Sequence, residues 1–135
     1  MKYYRCLYFF IFALSVKAYA YQPKIEIVEQ FDNLRMVAFI NKEDADSNPS
    51  WIPGSNKLPL TVVEAIRAVN VLSKKLNTIV EIEIRLMPKY KNRWHYLIKT
   101  AKTAKTANSA MRFKYNIYVV LMNGKVVPAI IEPAI

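Results

Sequence analysis

The chain is 135 residues long and carries 20 basic against 10 acidic side chains, a formal net charge of +10. It holds one cysteine, one histidine and two glycines, Gly54 and Gly124. That length suits one domain, a lone cysteine excludes an internal disulfide, and so few glycines exclude a loop that cradles phosphate.

Residues Met1 to Arg5 give a short basic start, Cys6 to Val16 an apolar run, and Ala18 to Ala20 a small-x-small site. This is the layout of a secretory signal peptide over residues 1–20, and the run is too short to span a bilayer of roughly 30 Å as a helix. Cleavage after Ala20 is the expectation, with an uncleaved N-terminal anchor as the alternative. Cys6 stands at the start of the run, not at its end where a lipidated cysteine belongs, and leaves with the signal. The exported chain, periplasmic or extracellular, then spans 21–135 as a single domain with no cysteine and no further membrane span. Removing Lys2, Arg5 and Lys17 leaves 17 basic against 10 acidic side chains. Such a balance favours anionic envelope surfaces, whereas nucleic acid is not a partner an exported chain meets.

Lys24 to Phe31 and Leu34 to Ile40 read as a hairpin over 24–40, turned at Asp32-Asn33. Ile25, Ile27 and Phe31 mark one buried face of the first strand, and the second is apolar on both faces. Residues 41–58 are polar, contain Pro49, Pro53 and Gly54, and lack a sustained period, so they read as a surface linker. Glu43, Asp44 and Asp46 form an acidic cluster, but the glycine and distal glutamate of a calcium loop are missing. Trp51 is read as a cover for the edge of the core.

A helix is expected over 59–76. Thr61 and Glu64 have the spacing of a capping box, with Leu60 and Ala65 placed as a hydrophobic staple. Val62, Ile66, Val69 and Leu76, flanked by Val63 and Leu72, form its apolar stripe. Antiparallel strands follow over 78–130. In the first, Val80, Ile82, Ile84 and Leu86 alternate with Glu81, Glu83 and Arg85. In the next, Trp94, Tyr96 and Ile98 share one face and His95 and Leu97 the other. Three Lys-Thr-Ala triplets from Lys99 then read as the strand's end and an exposed hairpin tip. Met111, Phe113, Tyr115, Ile117, Val119 and Leu121 make a long buried face, opposed by Arg112 and Lys114. Asn123-Gly124 turns the chain into a short strand, and Pro128 and Pro133 suit a sheet edge.

The fold class is therefore α+β, one amphipathic helix packed on an antiparallel β-sheet. Glu81 and Glu83 are expected to pair with Arg112 and Lys114 across the sheet. The solvated face made by these with Arg85 and His95 is the candidate binding surface, joined by an open sheet edge. His95 has no serine, cysteine or carboxylate at a spacing that makes it a catalytic base or a metal ligand. No catalytic residue, cofactor or metal is expected, and the chain is read as a binding protein, not an enzyme.

The tryptophan–proline linker, Pro59-Leu60-Thr61 with Glu64-Ala65 opening a helix, an aliphatic strand, Trp94-x-Tyr96, and Asn123-Gly124-Lys125-Val126-Val127 together resemble small exported bacterial proteins of PepSY-like character. The likeness covers about Trp51 to Pro128, while the leading hairpin and the Lys-Thr-Ala triplets depart from a minimal unit of that kind. It implies a helix on an antiparallel sheet in a cystatin-like manner and non-enzymatic binding in the envelope, often suspected to restrain or regulate peptidases. It carries over no functional residue. An exported protein partner is the expectation, and a basic module for anionic envelope lipid or glycan is the alternative.

Overall fold

The computed structural model describes residues 24–31, 34–73, 77–105 and 111–133. The signal-peptide reading, the Asp32-Asn33 turn, the expected last turn of the helix at 74–76 and residues 106–110 of the expected tip lie outside the described residues. The second Lys-Thr-Ala triplet, expected in that tip, instead continues a strand that runs from Trp94 to Lys105. The described chain is α+β, with two antiparallel sheets and two helices. Its elements are β1 (Lys24–Phe31), β2 (Leu34–Asn41), α1 (Lys42–Ser47), α2 (Val62–Ser73), β3 (Thr78–Leu86), β4 (Trp94–Lys105), β5 (Met111–Leu121), β6 (Val126–Pro128) and β7 (Ile130–Pro133).

The helix begins at Val62, directly after the expected Thr61 cap and three residues inside the expected 59–76. The Thr61 backbone N–H and hydroxyl both donate to the Glu64 carboxylate at 2.8 Å, and the Glu64 N–H donates back to the Thr61 hydroxyl at 3.3 Å. The capping box thus satisfies backbone donors that a helix start leaves unpaired. Leu60 packs with Ala65 in the same apolar cluster, as a staple requires.

β3, β4, β5 and β6 form one sheet in sequence order, each pair antiparallel. Gly124, at φ +90°, makes the left-handed turn between β5 and β6 that the Asn-Gly pair announces. α2 packs over β5 and β6 through Ala65, Ala68 and Val69, against Tyr96, Ile98, Tyr118, Val120 and Met122. The buried stripe is turned from the one the apolar spacing suggests: Ile66 is only half-buried and Val62, Val63 and Leu72 are exposed. Val69 keeps its expected place, and Ala65 and Ala68 stand beside it in the contact line where Val62, Val63 and Leu72 were expected.

The leading hairpin does not extend that sheet. β1 and β2 pair with each other, β2 also pairs with the C-terminal β7, and this second sheet covers the face opposite α2. Ile27, Met36, Ala38 and Ile40 from it meet Leu97, Ile117, Val119 and Leu121. The result is three layers: α2, the sheet β3–β6, and the sheet β1-β2-β7. β5 lies in the middle, which explains why Ile117, Val119 and Leu121 on one side and Tyr118 and Val120 on the other are all buried.

The linker expected over 41–58 contains α1. Six residues are too few to show a helical period, so the segment reads as polar loop; its Ala45 is fully buried and closes one end of the inter-sheet core. β3 also departs from simple alternation, because its register with β4 slips between Ile79 and Glu81. The bulge puts Ile79 and Ile82 against the α2-side core and leaves Val80 exposed.

Candidate interaction surface

The residues expected to share one solvated face are divided between the two sides of the sheet. Glu81, Glu83, Arg85 and His95 lie on the side of the second sheet, whereas the strand positions of Arg112 and Lys114, which alternate with Ile117 and Val119, lie on the α2 side. In the β3–β4 register Glu81 stands opposite Lys99 and Arg85 opposite His95. In the β4–β5 register Lys102 stands opposite Lys114 and Ala104 opposite Arg112. β4 therefore lies between Glu81 and Glu83 and the strand positions of Arg112 and Lys114, so these are not the cross-strand neighbours expected. The carboxylates find other cations. Glu81 accepts from Lys99 Nζ at 3.3 Å, and Glu83 accepts from Arg85 Nε. Arg85 Nη1 donates to Glu29 of β1 at 2.8 Å, a contact between the two sheets. The Arg85 guanidinium holds the Glu83 carboxyl below its ordinary range.

His95 is the clearest correction. It is 1% exposed, enclosed between the two sheets, and neither ring nitrogen has a hydrogen-bond partner. Burial, and secondarily the charge of Arg85, push its pKa down to about 4. A side chain so enclosed meets no partner protein, so His95 leaves the candidate surface. Lys99 is nearly as enclosed, with its ammonium 5.8 Å from the Tyr115 ring centre. Arg85 remains one-third exposed and Lys114 exposed; Arg112 is placed only by its backbone register.

Several apolar side chains are exposed on the other side of the sheet, where α2 lies. Val63 and Leu72 of α2 are about half exposed and Val71 is 79% exposed. On β3, Ile84 and Leu86 continue the face of Ile82, standing opposite Tyr96 and Trp94. α2 sits over β5 and β6, so it leaves these two β3 residues substantially open to solvent.

The segment before α2 is braced by contacts its composition does not announce. Asn48 is fully buried; its Nδ2 donates to the Trp94 carbonyl at 2.8 Å and its Oδ1 accepts from the Met122 N–H at 2.7 Å. It thereby ties the segment to β4 and to the β5–β6 turn, and no local pattern distinguishes it from the polar residues around it. The rings of Trp51 and Trp94 meet edge to face at 5.6 Å, and Trp94 Nε1 donates to the Trp51 carbonyl at 3.0 Å. The acidic cluster is engaged by side chains: Asp44 by Lys125 at 2.6 Å, Asp46 by Lys42 and by the Tyr90 hydroxyl, the latter at 2.6 Å. Among the described residues, no group of three or more His, Cys, Asp or Glu is placed to hold a metal ion. Among the same residues, no helix is long and apolar enough to cross a membrane.

No family model, curated protein or solved structure matches the chain.

Proposed function

We propose that this chain is an exported, non-enzymatic binding module that acts through a protein partner in the cell envelope. One observation carries the reading: Val63, Val71 and Leu72 of α2 and Ile84 and Leu86 of β3 present exposed apolar side chains on the same side of the sheet. These exposed apolar side chains offer a partner surface to remove from water. Support of a second kind comes from the ionisable groups of the opposite face. Glu81, Glu83, Arg85 and Lys99 are spent on one another and on Glu29, and His95 lies out of reach of a substrate.

We read α2 with β3–β6 as the PepSY-like, cystatin-like unit and β1-β2-β7 as a layer added to it. Of the possible partners, an exported peptidase is the one that resemblance implies. Export is supported by the sequence of residues 1–20, and intact mass of protein taken from the producing cell tests it; a mass that still includes Met1 to Ala20 speaks against cleavage.

The binding test uses the exported chain as bait in envelope extract, followed by reconstitution with the identified and purified partner. Val71→Asp with Leu72→Asp is expected to abolish capture while leaving the denaturation midpoint in place. Equal capture by both proteins rules out the α2 side as the binding face.

A second reading has its own observation. Lys102 and Lys114 stand directly opposite each other on β4 and β5, both exposed, and like charges so placed repel. A bound anion relieves that repulsion, so anionic lipid or glycan is the alternative ligand. Binding to anionic vesicles that falls steeply with salt and is lost in Lys102→Glu with Lys114→Glu favours it.

A further inference from the structure

β3 is an edge strand. It pairs with β4 on one side, and among the described residues no strand pairs with its other side. The remaining sheet edges are blunted. β6 is three residues long and ends at Pro128, and β7 is four residues long and ends at Pro133, where no N–H is available to a new strand. β1 exposes Lys24, Glu26 and Gln30, with Val28 the single exposed large apolar side chain among its described ones. β3 instead exposes Val80, Ile84 and Leu86.

Only part of β3 is regular enough to accept a strand. Its pairing with β4 is broken between Ile79 and Glu81, runs unbroken from Glu81 to Leu86, and is followed by Met87 and Pro88. The middle of the stretch from Glu81 to Met87 is Ile84.

We infer that two copies of this chain join edge to edge through β3, antiparallel, about a twofold axis that passes by Ile84 perpendicular to the sheet. The charge pattern selects this register. An axis of that kind keeps each side chain on its own face, so each possible register is centred on a residue. Centred on Ile84, Glu83 of each copy faces Arg85 of the other, Ile82 faces Leu86, and Ile84 faces its own counterpart. Centring on Glu83 sets two carboxylates against each other, centring on Arg85 sets two guanidinium groups together, and centring on Ile82 puts Glu81 against Glu83. Cross-strand like charges destabilise and opposite charges stabilise. The Ile84 register alone among these matches opposite charges without opposing like ones.

Arg85 can serve both roles. Its bonds to Glu83 and Glu29 use Nε and Nη1, and a guanidinium carries five N–H donors. On the α2 side, Ile82, Ile84 and Leu86 of the two copies form one apolar strip across the seam, which withdraws Ile84 and Leu86 from water. The two sheets become one continuous sheet with both α2 helices on the same face. The seam is short, so the interface falls below the roughly 1,200 Å² of a stable complex and the association is weak and concentration-dependent. The dimer stands on β3 alone and does not rest on the proposed partner.

Sedimentation velocity on the purified chain without any partner, from about 1 to 300 µM, a range that brackets weak association, tests the inference. The wild-type chain is expected to move from monomer to dimer, and Ile84→Lys, which places two ammonium groups at the axis, to stay monomeric throughout. A second measurement holds if that variant fails to fold. In a Cys6→Ser background, Ile84→Cys is expected to cross-link to its own counterpart at least tenfold faster under mild oxidation than Val71→Cys, whose site is more exposed but lies away from the axis. A chain that stays monomeric to the highest concentration overturns the inference. So does a dimer in which the Ile84→Cys and Val71→Cys chains cross-link equally fast. Neither result bears on partner capture through Val71 and Leu72.

Discussion

Arg85 of β3 donates to Glu29 of β1 at 2.8 Å, and this ion pair fastens the two sheets to each other at the margin of their shared core. Both side chains are partly shielded, at 34% and 22% exposure. A pair in that setting is screened less than one on the open surface. Arg85→Ala is expected to cost about 1–2 kcal/mol, with a coupling to Glu29→Gln of about 1 kcal/mol in a double-mutant cycle read by urea denaturation. Arg35→Ala, which breaks the more exposed pair with Glu132 at 2.6 Å, is expected to stay within about 0.5 kcal/mol of wild type.

His95 makes stability depend on pH. Its folded-state pKa lies at about 4 against an ordinary 6.5, so the folded chain holds the neutral ring. Between those values the unfolded chain binds the proton and the folded chain does not. Stability therefore falls as pH drops from about 6.5 to about 4, by about 3 kcal/mol at full extent, and changes little from this group above that window. His95→Leu, of similar bulk and without a titrating group, is expected to flatten the pH profile across the same window. Denaturation midpoints at intervals of half a pH unit measure both curves.

Asn48 is expected to be the least replaceable residue of the segment before α2. Asn48→Ala strands the buried Met122 N–H and the Trp94 carbonyl, each of which loses the partner it had in the protein. The cost is about 2–4 kcal/mol in chemical denaturation. Ser47→Ala next to it, whose hydroxyl makes one exposed bond to the Asp44 carbonyl, is expected to change stability by less than about 0.5 kcal/mol.

The face of α2 is read by two valines. Val69 is 1% exposed against the sheet and Val71 79% exposed to solvent. Val69→Ala is expected to cost about 1–3 kcal/mol through lost burial and the cavity left behind, and Val71→Ala about 0.5 kcal/mol or less. Equal denaturation midpoints for the two variants contradict the packing of α2 on the sheet through Val69.

Local chemistry was legible in the sequence wherever one short stretch holds all the partners. Thr61 and Glu64 stand three residues apart and mark the helix start without help from the rest of the chain. Asn123-Gly124 marks its turn because a left-handed backbone is a property of the residues themselves. Strand alternation likewise told which side chains of β3 and β4 share a face, apart from the slip at Val80.

Which of those faces is covered was decided by the tertiary structure, because alternation reports sides and not neighbours. Glu81, Glu83, Arg85 and His95 have the pattern of a wet face, yet His95 is buried there because Glu29 and the apolar residues of β1 and β2 cover part of that face. One local sign of such a cover existed in β5, where Ile117, Val119 and Leu121 alternate with the equally apolar Tyr118 and Val120 and so call for packing on both sides. Asn48 gave no sign of its place, since Trp94 and Met122, the partners that fix it, lie 46 and 74 residues away along the chain. The rotation of α2 was also a tertiary matter: hydrophobicity favours Val62, Val63 and Leu72 for the buried stripe, whereas packing on the sheet buries Val69 with Ala65 and partly Ala68 and leaves those three exposed.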